Sequence, residues 1–307
     1  MNLAFLGIGL MGRPMACHLL IAGFNLTLWN RTRRKADALT SLGATVADSP
    51  AEAIADADII ITMLENGPVV DQVLFGTPQP CFKRGSTVID MSSIPPELAR
   101  QHAERLQQMG VNYLDAPVSG GTVGAEQASL SIMAGGDKTV FMACQPIFTT
   151  LGKATYIGPT GSGQLAKCAN QAIVGITIGA VSEALLLAAE GGADPAAVRE
   201  ALLGGFAGSR ILELHGQRML DREFNPGATS RVQLKDLRTI LDTAQNEQLT
   251  LPLVEQTYQQ YQKLVDNGLE EVDHSGLLLQ LEADNGDRRL NDKTTQSPYS
   301  KDKPANL

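Results

Sequence analysis

The residues with the plainest chemical meaning lie at the start of the chain. Gly7-Ile8-Gly9-Leu10-Met11-Gly12 follows the apolar run Leu3-Ala4-Phe5-Leu6 and precedes a helix-forming stretch, Pro14 to Ala22. A glycine triplet between a buried strand and a helix brings backbone N–H groups against a pyrophosphate. Gly7 permits the tight turn, Gly9 lets phosphates come close, and Gly12 lets the helix pack near the strand. Strand, loop and helix stand in the order that gives this spacing its meaning as a dinucleotide site.

The second strand, Phe24 to Trp29, ends at Asn30-Arg31-Thr32-Arg33-Arg34. The residue at this strand end lies about twenty positions beyond the glycine loop and faces the adenosine ribose. A carboxylate there would bond the ribose hydroxyls and repel a 2′-phosphate. The chain carries Asn30 instead, followed by three arginines. A charge-assisted bond from Arg contributes roughly 1.5–3 kcal/mol, enough for at least a tenfold preference for the phosphorylated ribose. The residues therefore point to NADP(H), with Arg31 and Thr32 as the phosphate contacts and Arg33 or Arg34 as helpers. The alternative is that these arginines form a solvated first turn of the next helix.

Two further stretches invite a chemical reading. In Asp115-Ala116-Pro117-Val118-Ser119-Gly120-Gly121, the two glycines offer unhindered N–H groups and Ser119 adds a hydroxyl. Together they form either a nest for a carboxylate or an ordinary turn. In Gly161-Ser162-Gly163-Gln164-Leu165-Ala166-Lys167-Cys168-Ala169-Asn170, the positions Gly163, Lys167 and Asn170 share one helix face. Lys167 lies on an otherwise apolar helix, so its ammonium must pair, reach solvent, or line a cavity. Partial desolvation would lower its pKa toward neutrality, as acid–base work requires. Asn170, one turn on, is placed to orient it or to hold a substrate oxygen.

The elements that position these groups follow from pattern. The first half alternates strand and helix signals, as a parallel sheet with covering helices does. Helix Arg33–Leu42 ends at Gly43, and strand Thr45–Ala47 follows. Ser49-Pro50 opens a helix with a cap residue and a first-turn proline. Asp58–Met63 is a buried strand, Gly67-Pro68 opens a helix, Thr87–Asp90 is a strand, and Pro95-Pro96 opens a helix to Met109. Asn112–Asp115, Leu130–Ala134 and Thr155–Ile157 complete the strands. From Gly163 to Ala189 runs a helix apolar nearly all round, which predicts burial. Later segments all read as helix: Pro195–Leu203, Ser209–Leu220, Arg231–Asn246, Leu253–Asn267 and Ser275–Leu281. The expected fold class is α/β, an N-terminal Rossmann-type doubly wound sheet followed by an all-α C-terminal domain. The expected boundaries are 1–160 for the nucleotide-binding domain and 161–282 for the helical substrate and oligomerisation domain. Residues 283–307, polar and charged, read as a disordered tail.

Bulk properties bound the class. A chain of 307 residues has room for two domains, and a 43% hydrophobic fraction supports a substantial core. The net charge of −8 and pI near 5.1 argue against nucleic acid as a partner. Cys17, Cys81, Cys144 and Cys168 are scattered without C-x-x-C spacing, which argues against a zinc site or disulfide frame and suits a reducing cytoplasm. No stretch reaches the length needed to span a bilayer, and the N-terminus enters the first strand without a signal peptide.

Over residues 1–282 the chain resembles the β-hydroxyacid dehydrogenases, the group that includes 3-hydroxyisobutyrate dehydrogenase and the tartronate, glyoxylate and succinic semialdehyde reductases. The glycine loop, Asp115–Gly121, the helix with Gly163, Lys167 and Asn170, and Lys235-Asp236-Leu237 carry the resemblance through their order and spacing. It implies an oxidoreductase moving hydride between NADP(H) and a small hydroxy acid or semialdehyde acid. Lys167 matches the family's catalytic lysine, and Asn170 the asparagine that positions substrate. Ser119, Gly120 and Gly121 match the substrate-carboxylate loop. Met63 and Leu64 match positions lining the cofactor, and Ser92 a position near the nicotinamide ribose. Lys235 matches the second-domain lysine that faces cofactor and substrate, while Asp236 pairs locally. The resemblance also implies assembly as a homodimer or homotetramer, while the cysteine spacing and the lack of a spanning stretch lead to the expectation of no metal and no membrane. Gly204–Ser209 and Asp273-His274-Ser275 look most like the tartronate semialdehyde branch, and Asn30-Arg31-Thr32 like the NADPH-using semialdehyde reductases. One departure is Ala228 after Pro226-Gly227, where relatives often carry a larger apolar residue. His274, at a helix entry, reads as structural. The alternatives are an imine reductase on the same fold, a non-catalytic cofactor-binding reader domain, and 6-phosphogluconate dehydrogenase. The first two usually lack the lysine that Lys167 supplies. The third has a larger helical domain and a basic sugar-phosphate site.

Overall fold

The computed structural model describes residues 1–77, 79–286 and 288–290. By its contacts the chain divides into two compact units, Met1–Asn170 and the residues from Gln171 onward.

The first unit is a twisted sheet covered on both faces. Its strands are β1 (Asn2–Leu6), β2 (Asn25–Trp29), β3 (Thr45–Val46), β4 (Ile59–Thr62), β5 (Thr87–Asp90), β6 (Asn112–Asp115), β7 (Val118–Ser119), β8 (Leu130–Gly136) and β9 (Gly152–Gly158). They lie in the order β3-β2-β1-β4-β5-β6-β8-β7, with β9 beside β8. The six strands from β3 to β6 in this order are parallel, β8 runs antiparallel to β6, and β9 is parallel to β8. This is the doubly wound order, in which ligands meet the carboxyl ends of the strands where the order reverses. Here that point lies between β1 and β4.

The apolar strand runs are explained by burial on both sides. Leu3 and Phe5 enter one core with Ile59, Ile61 and Ile89. Ala4 and Leu6 point the other way, into a second core with Ile60, Val70 and Val88. The covering helices are α1 (Gly12–Ile21), α2 (Arg34–Asp37), α3 (Pro50–Ile54), α4 (Gly67–Phe75), α5 (Pro96–Gln108), α6 (Gly121–Glu126), α7 (Lys138–Ala143) and α8 (Gln145–Leu151). Caps fix several of them. The Ser49 hydroxyl accepts from Glu52 N–H, and the Asn66 side chain accepts from Val69 N–H. The predicted Arg33–Leu42 helix is shorter than expected. It is α2 plus a 3₁₀ turn, Thr40–Leu42, closed by Gly43 at φ 92°. The short elements β7, α6, α7 and α8 carry too few residues to show a period and were not anticipated.

The second unit is helical. Helix α9 (Ser162–Glu190) bridges the division, and α10 (Pro195–Leu203), α11 (Arg210–Asp221), α12 (Ser230–Asn246), α13 (Pro252–Asp266) and α14 (Leu277–Asp284) follow. By contacts, the division falls inside α9. Two expectations for α9 need correction. Only a stripe containing Gly175, Ile178, Ser182 and Leu185 is buried, whereas Ile173 and Leu187 are 66% and 76% exposed. One chain covers one side of the helix. Secondly, α9 is long and apolar enough to cross a membrane by length and composition. Its buried stripe is that of a packed helix, since a Cβ on Gly175 would touch Gln233 and Leu237 of α12.

The described residues at the start of the expected tail are docked against the fold. Helix α14 reaches Asp284, the Leu290 side chain is buried, and Leu290 N–H donates to Glu282 Oε1 at 2.9 Å. Arg288 pairs with Glu190 at 2.7 Å. One apolar side chain and two ion-pairing groups suffice to dock this segment. The remainder of the predicted tail, 291–307, lies outside the described residues.

Candidate active site

The glycine loop leaves β1 and crosses to the end of β4. Gly7 adopts φ 110°, and a Cβ there would lie 2.2 Å from Met63 O. A Cβ on Gly12 would lie 1.9 Å from Gly7 O, so the first turn of α1 is locked under the loop. Gly9, by contrast, faces open space within 4 Å of its Cβ position. Helix α1 has no side-chain cap and no acid in its first turn. Uncapped N–H groups, no competing carboxylate and an unobstructed glycine together fit a dinucleotide pyrophosphate. Leu10, 76% exposed, stands at the rim of the loop.

Asn30 braces this loop. Its Oδ1 accepts from Ile8 N–H at 2.9 Å, and its Nδ2 donates to Thr32 O at 3.0 Å. The asparagine thus links the end of β2 to the glycines. Arg33 is paired with Asp37 and Asp48, so it is already engaged. Arg31, Thr32 and Arg34 are exposed.

Along the carboxyl edge of the sheet, a second set of contacts runs from β4 to α9. Leu64 N–H donates to Ser92 Oγ at 3.0 Å. Ser92 is fully buried, and its N–H donates to Asp90 Oδ1 at 3.0 Å. Thr62 and Tyr113 hydroxyls donate to the same carboxylate, at 2.8 and 3.2 Å. Burial pushes the Asp90 carboxyl above its ordinary value, against these donors. One step along, Asp115 closes β6 and caps α9. Its two oxygens accept from Gly161 and Gln164 N–H at 2.8 and 2.9 Å. Burial raises this carboxyl to about 6, opposed by the same two N–H groups. Gly163 permits the close approach, since a Cβ would lie 2.4 Å from Asp115 O.

This cap sets the position of Lys167 one turn later. Its Nζ donates to Val118 O at 2.8 Å, and the side chain is half-buried. Of the options open from sequence, pairing is met by a backbone carbonyl. Val118 leads straight into Ser119, half-exposed, and into Gly120 and Gly121, exposed at φ 131° and 62°. Gly120 stands at the uncapped, acid-free start of α6. Lys167, Asn170 and the Ser119–Gly121 loop therefore belong to one compact unit. So do Gly7–Gly12, Met63, Leu64 and Ser92. Sequence reasoning missed Asp90, Asp115 and Gln164. The available signal was an aspartate ending each of two apolar strand runs.

In the second unit, Lys235 Nζ lies 3.1 Å from Asp236 Oδ1. Asp236 is buried and also accepts from Gln171 Nε2 at 2.6 Å. Asp236 therefore pairs locally, as expected, and holds Lys235 and α9 on one carboxylate. Asp273 is a larger hub. It accepts from Arg218 at 2.5 Å, Ser275 Oγ at 2.6 Å, and the N–H groups of Ser275 and Gly227 at 3.0 Å. Ala228 N–H approaches it at 3.4 Å, so this carboxylate shapes the Pro226-Gly227-Ala228 turn. Among the described residues, His215, Asp273 and His274 could bring ligand atoms within 4.8 Å of one another. Arg218 already neutralises the carboxylate there, which disfavours a cation. Burial lowers His274 to about 4, which with its edge-on contact to His215 supports a structural role.

Burial alone would raise the Asp273 carboxyl. His215, His274 and the Ser275 donors outweigh it and hold the group well below the usual carboxylate range. A lowered carboxyl stabilises the fold above its unfolded value of about 4 and loses that contribution as pH falls below it. Asp273→Asn should therefore cost about 2–4 kcal/mol at pH 7, somewhat less than a fully buried pair because Arg218 reaches solvent. Urea unfolding would measure this, and the gap to the parent protein should narrow below about pH 4. An unchanged midpoint at pH 7 would remove Asp273 as an organising group.

Comparison with known proteins agrees with this architecture. Residues 2–158 match the family model described as the NAD binding domain of 6-phosphogluconate dehydrogenase. Residues 161–281 match the one described as NAD-binding of NADP-dependent 3-hydroxyisobutyrate dehydrogenase. The chain is 46% identical over 286 residues to 2-hydroxy-3-oxopropionate reductase of Escherichia coli K12, covering 92% of this chain and 97% of that protein. It is 36% identical over 302 residues to a probable 3-hydroxyisobutyrate dehydrogenase-like protein of Arabidopsis thaliana, covering 97% and 89%. The solved structure of Mycobacterium tuberculosis 3-hydroxyisobutyrate dehydrogenase with L-serine superposes with a TM-score of 0.83 at 29% identity, covering 91% and 98%. The chain belongs to the β-hydroxyacid dehydrogenase family and is an oxidoreductase that works with a nicotinamide cofactor.

Proposed function

We propose that the protein is an NADP(H)-dependent reductase of a small semialdehyde acid, with 2-hydroxy-3-oxopropionate (tartronate semialdehyde) as the first candidate. Glyoxylate and succinic semialdehyde are the nearest alternatives. The observation that carries this reading is the Lys167 ammonium, bonded to Val118 O directly beside the Ser119–Gly121 loop. The 46% identity to a 2-hydroxy-3-oxopropionate reductase supports the substrate class.

In this reading the pyrophosphate rests on Gly7–Gly12 and the adenosine ribose phosphate on Arg31 and Thr32, with Asn30 bracing the loop. Met63, Leu64 and Ser92 shape the nicotinamide side. NADPH, when bound, supplies the hydride to the aldehyde carbon. Ser119, Gly120 and Gly121 hold the substrate carboxylate, which fixes the carbonyl in place. Lys167 donates its proton to the carbonyl oxygen and stabilises the charge developing there, so that aldehyde becomes primary alcohol. Oxidation reverses the transfer, with neutral Lys167 as base. Asn170 orients the substrate oxygen, and Lys235 adds a second cation for cofactor and substrate. The unit up to Asn170 serves the cofactor and also carries the carboxylate loop, Lys167 and Asn170. The helical unit serves substrate and assembly, and the exposed Ile173, Leu187 and Phe206 support a homodimer or homotetramer.

The test is a panel of the three aldehyde acids with NADPH and NADH, followed by absorbance of the reduced cofactor. Tartronate semialdehyde with NADPH should give the highest kcat/KM. Activity on none of them would overturn the reading.

A further inference from the structure

The Gln164 side chain has no assigned part in the family reading, yet it is tied on every side. It is 1% exposed. Its Oε1 accepts from Ile94 N–H at 3.2 Å, and its Nε2 donates to Ser92 O at 2.8 Å. Its own N–H donates to Asp115 Oδ2 at 2.9 Å. One residue thus joins three segments: the loop after β5, the end of β6 and the first turn of α9. Ser92, at the far side of this junction, also fixes Leu64 through its hydroxyl. Lys167 stands three residues after Gln164 on the same helix, so both occupy neighbouring positions on one surface.

A buried amide with both its functions satisfied is rigid, because losing either bond strands a backbone group without water. Glutamine also has the right asymmetry here. One end must accept from an N–H and the other must donate to a carbonyl, which neither a carboxylate nor an apolar side chain can do. The effect is to fix the rotation and height of the first turn of α9 against the Ser92–Ile94 loop. That loop carries the nicotinamide-side residues, and the helix carries the proton donor.

We propose that Gln164 is a positioning residue for the reaction: it sets the Lys167 ammonium in register with the Ser92–Leu64 edge, where hydride is delivered. The proposal rests on the assignment of Lys167 as acid–base group. Reacting groups tolerate little misplacement, and about 1 Å of error costs on the order of 10²-fold in rate.

A double-mutant cycle in the full-length enzyme tests it. Gln164→Met keeps volume and removes both amide bonds. It should lower kcat by about 10- to 100-fold, while KM for the aldehyde acid and the dissociation constant for NADPH move by less than about threefold. Combined with Lys167→Ala, it should lower kcat no further, because the group it positions is gone. A lower melting temperature is expected in either case, whereas a merely structural role would lower kcat equally in both backgrounds. That additive outcome, or an unchanged kcat in Gln164→Met, overturns the proposal. If Lys167→Ala alone kept near-parent turnover, the Lys167 assignment would fail first, and the two failures are thereby distinguished. Should Gln164→Met not fold, Gln164→Asn, with both polar functions one methylene shorter, goes through the same cycle with the same criteria.

Discussion

Lys167→Ala should lower turnover by about 10²- to 10⁴-fold while leaving NADPH affinity within about twofold. The range follows from the proposed role: a proton donated to the carbonyl oxygen, and a positive charge beside the oxygen as it becomes an alkoxide. The fold should survive the change. Lys167 donates to Val118 O from a half-buried position, and loss of that bond is what the change removes there. The loss amounts to about 1 kcal/mol or less, and the carbonyl it leaves has two lone pairs for water to reach. The glycine loop does not involve Lys167, since its geometry depends on Met63, Asn30 and the start of α1. Cofactor titration by fluorescence therefore separates lost chemistry from lost binding. A variant with both rate and NADPH affinity collapsed would place Lys167 in binding. A variant with neither changed would remove it from the site.

Arg31→Ala should reduce the preference for NADPH over NADH by at least about tenfold in kcat/KM, through loss of NADPH activity with NADH activity unchanged. The structure sharpens this beyond the cluster of arginines. Arg33 is held by Asp37 and Asp48, so Arg33→Ala should leave the cofactor ratio nearly unaltered. Arg31 follows Asn30, whose side chain is committed to Ile8 and Thr32. The strand end is thus braced, and Arg31 beside it is exposed, as the proposed phosphate contact requires. Asn30→Asp would put a carboxylate at the same point and should move preference further toward NADH. Equal use of the two cofactors by the parent protein would contradict the assignment of Arg31.

How much of this was legible from residues alone depends on how local the signal is. Gly7, Gly9 and Gly12 announced their roles because strand, turn and helix are consecutive. Thr87–Asp90 and Pro195–Leu203 emerged with the predicted bounds because each is an apolar or helical run between clear breakers. Lys167 stood out as a cation on an apolar helix. The contacts that join Gln164 to Asp115 and Ser92 did not, because these residues meet only in three dimensions, 49 and 72 positions apart. Helices α6 to α8 were too short for a period to show, although Asp137 caps α7 through Thr139 and Val140 N–H. The burial of α9 was overestimated for a related reason. Composition reports that a helix is apolar all round, but not how much of it one chain can cover.

Single-turnover hydride transfer in Lys167→Ala, with NADPH and tartronate semialdehyde both saturating, measures proton donation by this one ammonium group without product release. With cofactor fully bound, the rate constant should fall at least about 10²-fold below that of the parent enzyme. A rate constant within about threefold of the parent would contradict Lys167 as the proton donor.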